Sequence, residues 1–303
     1  MISSRSHSLI RAARLHAFTV VELLVAISVL SLIVLVLFGL FDQVQKALRS
    51  NVAQVDVLEG GRAGMQLVAG QAEQLSAGNV TGSTNLYIAL TAKPYQQALL
   101  DAGTNRLNLL QEFFLLSHFN KSWFGTGYRV LQLSTNGIAS QFATNGVGTL
   151  CRYSVPVNDA DFPNLPSLLN TPGPGRTTNL FWKVMNPARD NLTNYQQVLD
   201  GVVHLRVRAF DNNGFLITNN LITNIPPGLI VGTNAFKNDV EFDYAFTNRA
   251  LPAYLEVELG VLEPHVLERY RAFPNPTVAS NFLARQVAAV HLFQERIPIR
   301  SAK

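Results

Sequence analysis

The chain has 303 residues, of which 48% are hydrophobic and only 15% are charged, a low charged fraction for a purely soluble protein. It is long enough to bury a sizeable core in one or two domains. Its single cysteine excludes an intrachain disulfide and any motif that needs a cysteine pair. Three arginines in residues 1–17 account for most of the formal net charge of +4, so the nearly neutral remainder gives little support for a nucleic-acid partner.

The first predicted element is a membrane-spanning helix over residues 18–41. Its uncharged part, from Leu23 to Phe41, would rise about 28 Å as a helix, close to the roughly 30 Å of a bilayer's hydrocarbon core. Because the arginines precede this segment, the positive-inside rule places residues 1–17 in the cytoplasm and the chain after about residue 42 outside.

Two simpler interpretations of this segment are a secretory signal peptide and a plain membrane anchor. A signal peptide carries its small-residue cleavage site after the apolar region, but residues 42–60 contain no A-x-A and the small residue here, Ala17, lies before that region. A plain anchor accounts for the apolar run. It explains neither the order Ala17-Phe18-Thr19 nor the carboxylate of Glu22 beside the uncharged segment.

The stretch AFTVVELLVAISVL, residues 17–30, resembles the signal of type IV pilins and type II secretion pseudopilins. The resemblance implies that a prepilin peptidase cuts between Ala17 and Phe18 and that Phe18 becomes the N-methylated amino terminus. Glu22, then the fifth mature residue, is implied in subunit assembly. Its carboxylate would face the ammonium group of a neighbouring subunit, which offsets the cost of placing both groups near lipid. The family usually has glycine where this chain has Ala17.

Residues 42–78 have the pattern of an amphipathic helix, because apolar residues recur at steps of three and four between Val44 and Val68. We expect a helical stalk that packs one face on a globular domain. Gly60-Gly61 is expected to bend or interrupt this helix, and Gly78-Asn79 is expected to end it.

Residues 79–303 are expected to form a β-rich domain, because short apolar or alternating runs are separated by turn residues. The predicted fold class is therefore α+β, a long N-terminal helix packed on an antiparallel sheet. Asp211–Gly214 is predicted as a hairpin turn, and Asn120–Tyr128 and Val155–Arg176 as insertions, the second a long loop. The predicted strands are Leu110–Leu116, Tyr128–Ser134, Thr149–Val155, Asn179–Met185, Val202–Phe210, Phe215–Thr218, Val240–Phe246, Ala253–Leu262 and Ala288–Ile297.

Two stretches, Val198–Gly214 and Leu251–Pro264, resemble paired segments of the J-type minor pseudopilins of type II secretion and of the similar PilW-type minor pilins. The resemblance implies a structural subunit that initiates or caps an envelope-spanning pseudopilus, with no cofactor and no enzymatic activity. It implies an inner-membrane protein with a periplasmic globular domain. The implied partners are prepilin peptidase, other major and minor pseudopilins (I- and K-type by analogy), the inner-membrane assembly platform and the lipid bilayer.

Two alternative functions remain open at this point. A minor pilin of a type IV pilus, serving fibre initiation, adhesion or DNA uptake, shares the signal and would add nucleic acid as a partner in the uptake case. A membrane-anchored periplasmic enzyme or binding protein would need a catalytic or ligand-binding constellation in the folded domain.

One group of residues has the chemistry of a metal site. Asp239, Glu241 and Asp243 lie on one face of a predicted strand, where three carboxylates could bind Ca²⁺. A solvated sheet face is the simpler interpretation. The histidines show none of the spacings of a metal or catalytic motif, and Cys151 is expected to be a buried small hydrophobe.

Overall fold

The structure is a computed structural model that describes residues 19–80, 82–91, 95–98, 105–134, 136–143, 145–161, 180–186, 191–218, 227–236 and 239–300. Its helices are α1 Val20–Ala72, α2 Leu180–Val184, α3 Pro264–Arg271 and α4 Pro276–Ala284. Its strands are β1 Thr84–Leu90, β2 Tyr95–Ala98, β3 Asn105–Asn108, β4 Gln111–Phe119, β5 Ser122–Leu133, β6 Ala139–Phe142, β7 Gly148–Asn158, β8 Gln196–Phe210, β9 Leu229–Phe236, β10 Asp239–Thr247, β11 Tyr254–Leu262 and β12 Val290–Pro298.

The chain divides into two compact units, residues 1–52 and 53–303. In the first unit the apolar side chains of α1 are exposed. Within the part of the chain that the structure describes, α1 is the one helix long and apolar enough to cross a membrane.

Helix α1 is continuous through both glycines at which we expected a bend or an interruption, so the expected interruption is wrong. A Cβ atom on Gly61 would lie 2.1 Å from the ring of Phe293, and one on Gly60 would lie 3.2 Å from Leu199. The absence of side chains at these positions therefore lets the helix backbone approach the sheet closely. The helix ends at Ala72, before the predicted stop at Gly78-Asn79.

The second unit contains a ten-stranded sheet with the strand order β12-β11-β8-β7-β5-β4-β1-β10-β9, in which β6 also pairs with β5. All of these pairs are antiparallel. The sheet curls, because Leu205 of β8 also pairs with Leu110 just before β4, although β7 and β5 separate these strands in the order. The expected α+β class, with one long apolar helix and an antiparallel sheet, is confirmed at this level.

The main core contains apolar residues of α1 from position 57 onward and of one sheet face. Its α1 members are Val57, Met65, Val68, Ala69 and Ala72. Strand β4 contributes to two cores, since Phe113 and Leu115 join the main core while Phe114 and Leu116 join a second one with α2. This division follows from the alternation of side chains along a strand.

Two predicted strands are wrong. Residues 180–184 of the predicted strand Asn179–Met185 form the short helix α2 instead, and Phe215–Thr218 contains a single bridge, from Leu216 to Phe210, rather than a strand. The other predicted strands coincide with β4, β5, β7, β8, β10, β11 and β12. The two stretches that resemble J-type segments are neighbours, because β8 pairs with β11 from Phe210 opposite Tyr254 onward.

The predicted insertion Asn120–Tyr128 is also wrong. Asn120 and Lys121 form a tight turn between β4 and β5, and both have positive φ angles, 47° and 63°, the signature of a type I′ hairpin turn. The remaining residues of that stretch belong to β5, from Ser122 onward. The predicted long loop Val155–Arg176 begins inside β7, and its residues from 162 onward lie outside the described ranges.

Candidate functional site

The start of α1 carries the first candidate site, the carboxylate of Glu22. The backbone N–H and the hydroxyl of Thr19 both donate to Oε2 of Glu22 at 3.0 Å, and the N–H of Glu22 donates to Oγ1 of Thr19 at 3.2 Å. The carbonyl of Thr19 accepts the N–H of Leu23 at 3.1 Å, which makes Thr19 the N-cap. The arrangement is a capping box, in which two residues three apart satisfy each other's backbone donors.

The capping box gives Glu22 a role within its own chain. A carboxylate in the first turn of a helix also interacts favourably with the positive end of the helix dipole. The spacing Thr19-x-x-Glu22 signals this motif in the sequence, and the reasoning from sequence missed it. The predicted cleavage site, Ala17 and Phe18, lies outside the described residues.

The segment that follows Glu22 has the properties of a helix suited to an apolar environment. Leu35 and Phe38 are 73% and 70% exposed. The hydroxyl of Ser28 donates to the carbonyl of Leu24 at 2.8 Å, so this polar group is satisfied inside the helix. A polar group that has an internal partner can lie in hydrocarbon without the cost of an unmade hydrogen bond.

The carboxylates proposed as calcium ligands lie on β10. The side chain of Asp239 falls outside the described part of the chain. Glu241 is 5% exposed and accepts a hydrogen bond from Nη2 of Arg206, so the expectation of a solvated face is wrong at this position. Oδ1 of Asp243 accepts the backbone N–H of Leu90 at 3.0 Å. Across the residues that the structure describes, no group of three or more His, Cys, Asp or Glu side chains is arranged to hold a metal ion.

Glu241 belongs to a larger set, the outer-face charge cluster, on the side of β8 away from the main core. Its members are His204, Arg206, Arg208, Glu241, Glu256 and Glu258. Nη1 of Arg206 lies 3.8 Å from Glu258, and Nη1 of Arg208 lies 3.9 Å from Glu256. All of its members except Glu256 line a cavity of about 260 Å³. Its basic members alternate with apolar residues along β8, and its acidic members lie on β10 and β11.

The geometry fixes the tautomer of His204, which is 1% exposed. Its Nδ1 accepts the backbone N–H of Leu109 at 3.0 Å, so this nitrogen carries no proton. The proton is therefore on Nε2, which donates to Glu258 at 3.2 Å. His204 thus acts as a neutral bridge between β8, β11 and Leu109, the residue that follows β3, which is a structural role.

No family model, curated protein or solved structure matches the chain. The function of the protein therefore has to be inferred from the chemistry of its own residues. The described features that bear on function are the capped, exposed apolar helix and the packing surfaces of the sheet domain.

The single thiol is not available as a nucleophile in the folded chain. Cys151 lies in β7 between β5 and β8 and is fully buried. Burial, and to a lesser degree the negative charge of Asp200, raises the pKa of this thiol to about 12. Because the thiolate is the reactive form, Cys151 is inert at neutral pH.

Proposed function

We propose that the protein is a minor pseudopilin, a structural subunit that initiates or caps the pseudopilus of a type II secretion system. One observation carries the proposal, the ordered start of the chain. A basic leader is followed by the small residue Ala17, by Phe18-Thr19 and by Glu22, and then by an apolar helix whose side chains are exposed. These five features occur in the order that processing and assembly of a pilin-like subunit require.

The exposed apolar helix supports this function physically. A soluble monomer rarely exposes an apolar surface as extensive as that of residues 20–41. A bilayer covers it in the unassembled protein, and the helices of neighbouring subunits cover it in a filament. Close packing and hydrogen bonds between polar groups stabilise helices that associate in this way.

In the proposed filament, Glu22 has two roles. The capping box with Thr19 holds its carboxylate at the start of the helix, and the ammonium group of Phe18 in a neighbouring subunit approaches it there. Pairing of the two charges offsets the desolvation of both and sets the axial register between helices. The carboxylate would therefore be needed for assembly and not for membrane insertion.

The proposed location is the inner membrane, with residues 1–17 in the cytoplasm and the sheet domain in the periplasm. Prepilin peptidase would remove the leader, and the assembly platform would extract the subunit into the pseudopilus. The proposed work of the chain is packing, of its apolar helix against partner helices and of its sheet domain against partner domains. This function needs no catalytic group.

Mass spectrometry of the amino terminus tests the proposal. The chain is expressed with an active prepilin peptidase, with an inactive one, and as the matched variant Ala17→Gly, which carries the family's usual residue. We expect an N-methyl-Phe18 terminus in both chains with the active enzyme and an intact leader with the inactive one. An intact Met1 terminus beside the active enzyme, or a cut after residue 42, would overturn the proposal.

Co-expression separates the two machines that use such subunits. The chain is expressed with the I- and K-type minor pseudopilins of its own host and, in parallel, with the minor pilins of a type IV pilus. We expect co-purification with the first set. Co-purification with the second set alone would assign the protein to a pilus.

A further inference from the structure

The ten-stranded sheet ends in two edge strands, β12 and β9. Unpaired backbone groups at a sheet edge can pair with a further strand, and natural proteins usually block such an edge with proline, charged residues or a bulge. Strand β12 is blocked in this way, since it contains Glu295, Arg296 and Pro298. Strand β9, with the sequence LIVGTNAF, has neither a charged residue nor a proline, and its eight pairs with β10 continue without a register shift. The edge of β9 is therefore open to pairing.

The hydrogen-bond pattern of β9 shows which of its backbone groups face away from the sheet. The N–H of Thr247 donates to the carbonyl of Gly228 at 2.6 Å, which extends the β9–β10 register by one pair. Bonded positions alternate along an antiparallel strand. The outward N–H and C=O groups therefore belong to Leu229, Val231, Thr233 and Ala235. No residue in the described ranges makes a backbone hydrogen bond to these outward groups.

An added strand would also extend the main core at this edge. Val231 and Phe242 are only partly buried, although both pack against the main core. Thr233, opposite Phe242 in the β9–β10 register, is exposed. Burial of the remaining apolar surface would therefore add to the stabilisation that the backbone hydrogen bonds provide.

Gly232, at the centre of β9, has no explanation within its own chain. Its φ angle is not positive, and the β9–β10 register has no bulge at this point. A Cβ atom on Gly232 would lie 3.6 Å from Cβ of Asp243, an ordinary contact. A glycine inside a strand weakens the strand and often marks the close approach of another backbone. The free edge of β9 is where such a backbone would lie.

We propose that β9 pairs antiparallel with β9 of a second copy of this chain, about a two-fold axis at Gly232. In this register all four outward residues of each copy have partners. Leu229 lies opposite Ala235 of the second copy, and about eight backbone hydrogen bonds form in all. Gly232 lies opposite Gly232 of the second copy, where any side chain would face its own duplicate. Because β9 is uncharged, the pairing brings no like charges together.

An extended peptide of another protein is the alternative occupant of this edge. Self-pairing is favoured because the midpoint of the outward residues coincides with the one glycine of β9. A two-fold axis explains that coincidence, and an unrelated strand does not. The resulting dimer is closed. The proposal does not rest on the pseudopilin function, because β9 lies in residues 53–303 and the apolar segment of α1 takes no part in the pairing.

Disulfide cross-linking of the full chain in detergent micelles tests the pairing. Position 232 is a non-hydrogen-bonded pair in the proposed register, so its two Cα atoms would be about 4.5 Å apart, within the range of a disulfide. A Cβ at this position fits its own chain, and the native Cys151 is fully buried. We expect Gly232→Cys to give a disulfide-linked dimer on oxidation with copper phenanthroline, measured on a non-reducing gel.

Thr233→Cys is the matched control, at the next residue of the same edge. Thr233 lies opposite Val231 of the second copy in the proposed register. Two cysteines at 233 would therefore be diagonal neighbours about 7–8 Å apart, too distant for a disulfide. We expect about tenfold less linked dimer from Thr233→Cys than from Gly232→Cys. Equal yields, or a higher yield at 233, would overturn the register, and no linkage at 232 would overturn the pairing.

A charge at the axis tests the pairing without a covalent bond. Gly232→Lys places two ammonium groups opposite each other, whereas Gln294→Lys adds the same charge on the other edge strand, β12. Sedimentation equilibrium in density-matched micelles measures the dissociation constant of the dimer. We expect it to rise about fivefold in Gly232→Lys and to stay unchanged in Gln294→Lys.

Two outcomes of the sedimentation experiment would overturn the proposal. Equal dissociation constants in the two lysine variants would mean that the chain associates through another surface, such as its apolar helix. An unaltered chain that stays monomeric at every concentration would mean that β9 does not pair with a second copy.

Discussion

Glu22 has a hydrogen-bonding partner in its own chain before any neighbouring subunit is considered. The capping box with Thr19 explains why an acid stands at the start of an otherwise uncharged helix. It does not explain why that acid follows a basic leader and the pair Ala17-Phe18. Capping by Thr19 and pairing with the ammonium group of a neighbouring subunit are two explanations of this acid. They predict different effects of the same substitutions, and these effects can be measured.

Glu22→Gln separates capping from charge. Glutamine also serves in a capping box, so the helix start is kept while the charge is lost, whereas Glu22→Ala loses both. We expect both variants to remain in the membrane fraction and both to lose co-purification with the minor pseudopilins proposed as partners. If the Glu22→Gln chain co-purifies as well as the unaltered chain, capping is sufficient for assembly and the ammonium pairing is contradicted.

Asp200 makes the stability of the sheet domain depend on pH. Arg271 donates to both of its oxygens, at 2.7 Å and 2.9 Å, and Thr149 donates to Oδ1 at 2.8 Å. Burial raises the pKa of this carboxyl, but the hydrogen bonds and the charge of Arg271 outweigh burial, so the pKa lies below its ordinary value of 3.8. The carboxylate therefore stabilises the fold above that value, and this stabilisation is lost as the pH falls through the folded-state pKa.

Asp200→Asn tests this dependence. We expect the variant to lower the free energy of unfolding at pH 7 and to differ progressively less from the unaltered chain as the pH falls below 3.8. Urea unfolding in detergent micelles at several pH values measures it. In an Arg271→Gln background the same substitution should have a much smaller effect, and an equal effect in both backgrounds would show that Arg271 is not the partner that matters.

Lys121 holds a backbone conformation that suits glycine. Its φ of 63° places it in the left-handed region, which costs a residue with a Cβ about 1 kcal/mol. We expect Lys121→Gly to stabilise the β4–β5 hairpin by up to about 1 kcal/mol, as measured by urea unfolding. Lys121→Ala is the matched control and should bring no such gain, because alanine keeps the Cβ.

The sequence predicts those elements whose side chains alternate clearly or whose length excludes other structures. The second half of β8 alternates between apolar and basic residues, and its prediction is confirmed. Residues 180–184 are too few for periodicity to distinguish a strand from one helical turn, and tertiary packing decides in favour of α2. Strand β1 was missed because both of its faces are largely buried, so it lacks the expected polar face.

The candidate sites were predictable only where their chemistry is local. The Thr19–Glu22 box is readable from a spacing of three residues. The outer-face charge cluster is not, because its members lie on β8, β10 and β11, and the proximity of these strands depends on pairings between distant parts of the chain. The type I′ turn was missed for another reason, since Asn120-Lys121 lacks the glycine that marks most such turns.

The glycines of α1 differ in what surrounds them, which gives a matched pair of substitutions. Gly70 has nothing within 4 Å of an added Cβ, whereas a Cβ on Gly61 would lie 2.1 Å from the ring of Phe293. We expect Gly70→Ala to stabilise the chain by about 1 kcal/mol through helix propensity. Gly61→Ala should lose that gain or destabilise the chain, because the ring has to move.

Thermal unfolding of both variants measures the difference, and a Phe293→Leu background serves as the control. With the ring removed, Gly61→Ala should approach the effect of Gly70→Ala. Equal stabilisation by both substitutions in the unaltered background would contradict the close approach of helix and sheet.

At the scale of the whole molecule, the compact unit that contains the sheet also includes part of α1. The sequence predicts a packed helical stalk over residues 42–78 and a globular domain from residue 79, and the second compact unit begins at residue 53. The difference lies in residues 53–72 of α1, whose five apolar members of the main core would be uncovered by a cut at 79. Burial of the three larger of these side chains, Val57, Met65 and Val68, contributes about 5–9 kcal/mol, which is comparable to the whole stability of a typical domain.

Two fragments test this boundary. We expect residues 53–303 to be soluble without detergent and to unfold cooperatively, and residues 79–303 to aggregate. Circular dichroism and size-exclusion chromatography measure both properties. A soluble, cooperatively folded 79–303 fragment would show that the sheet does not need the helix.

The buried position of Cys151 has a practical consequence for experiments in membranes. The thiol lies on a central strand, with β5 on one side and β8 on the other, so a modifying reagent reaches it only when the interior of the sheet opens. Fraying of the outer strands would leave it protected. The rate of its alkylation would therefore report global opening in an intact bilayer, and a second cysteine introduced in residues 20–52 could carry a spectroscopic label without removal of the native one.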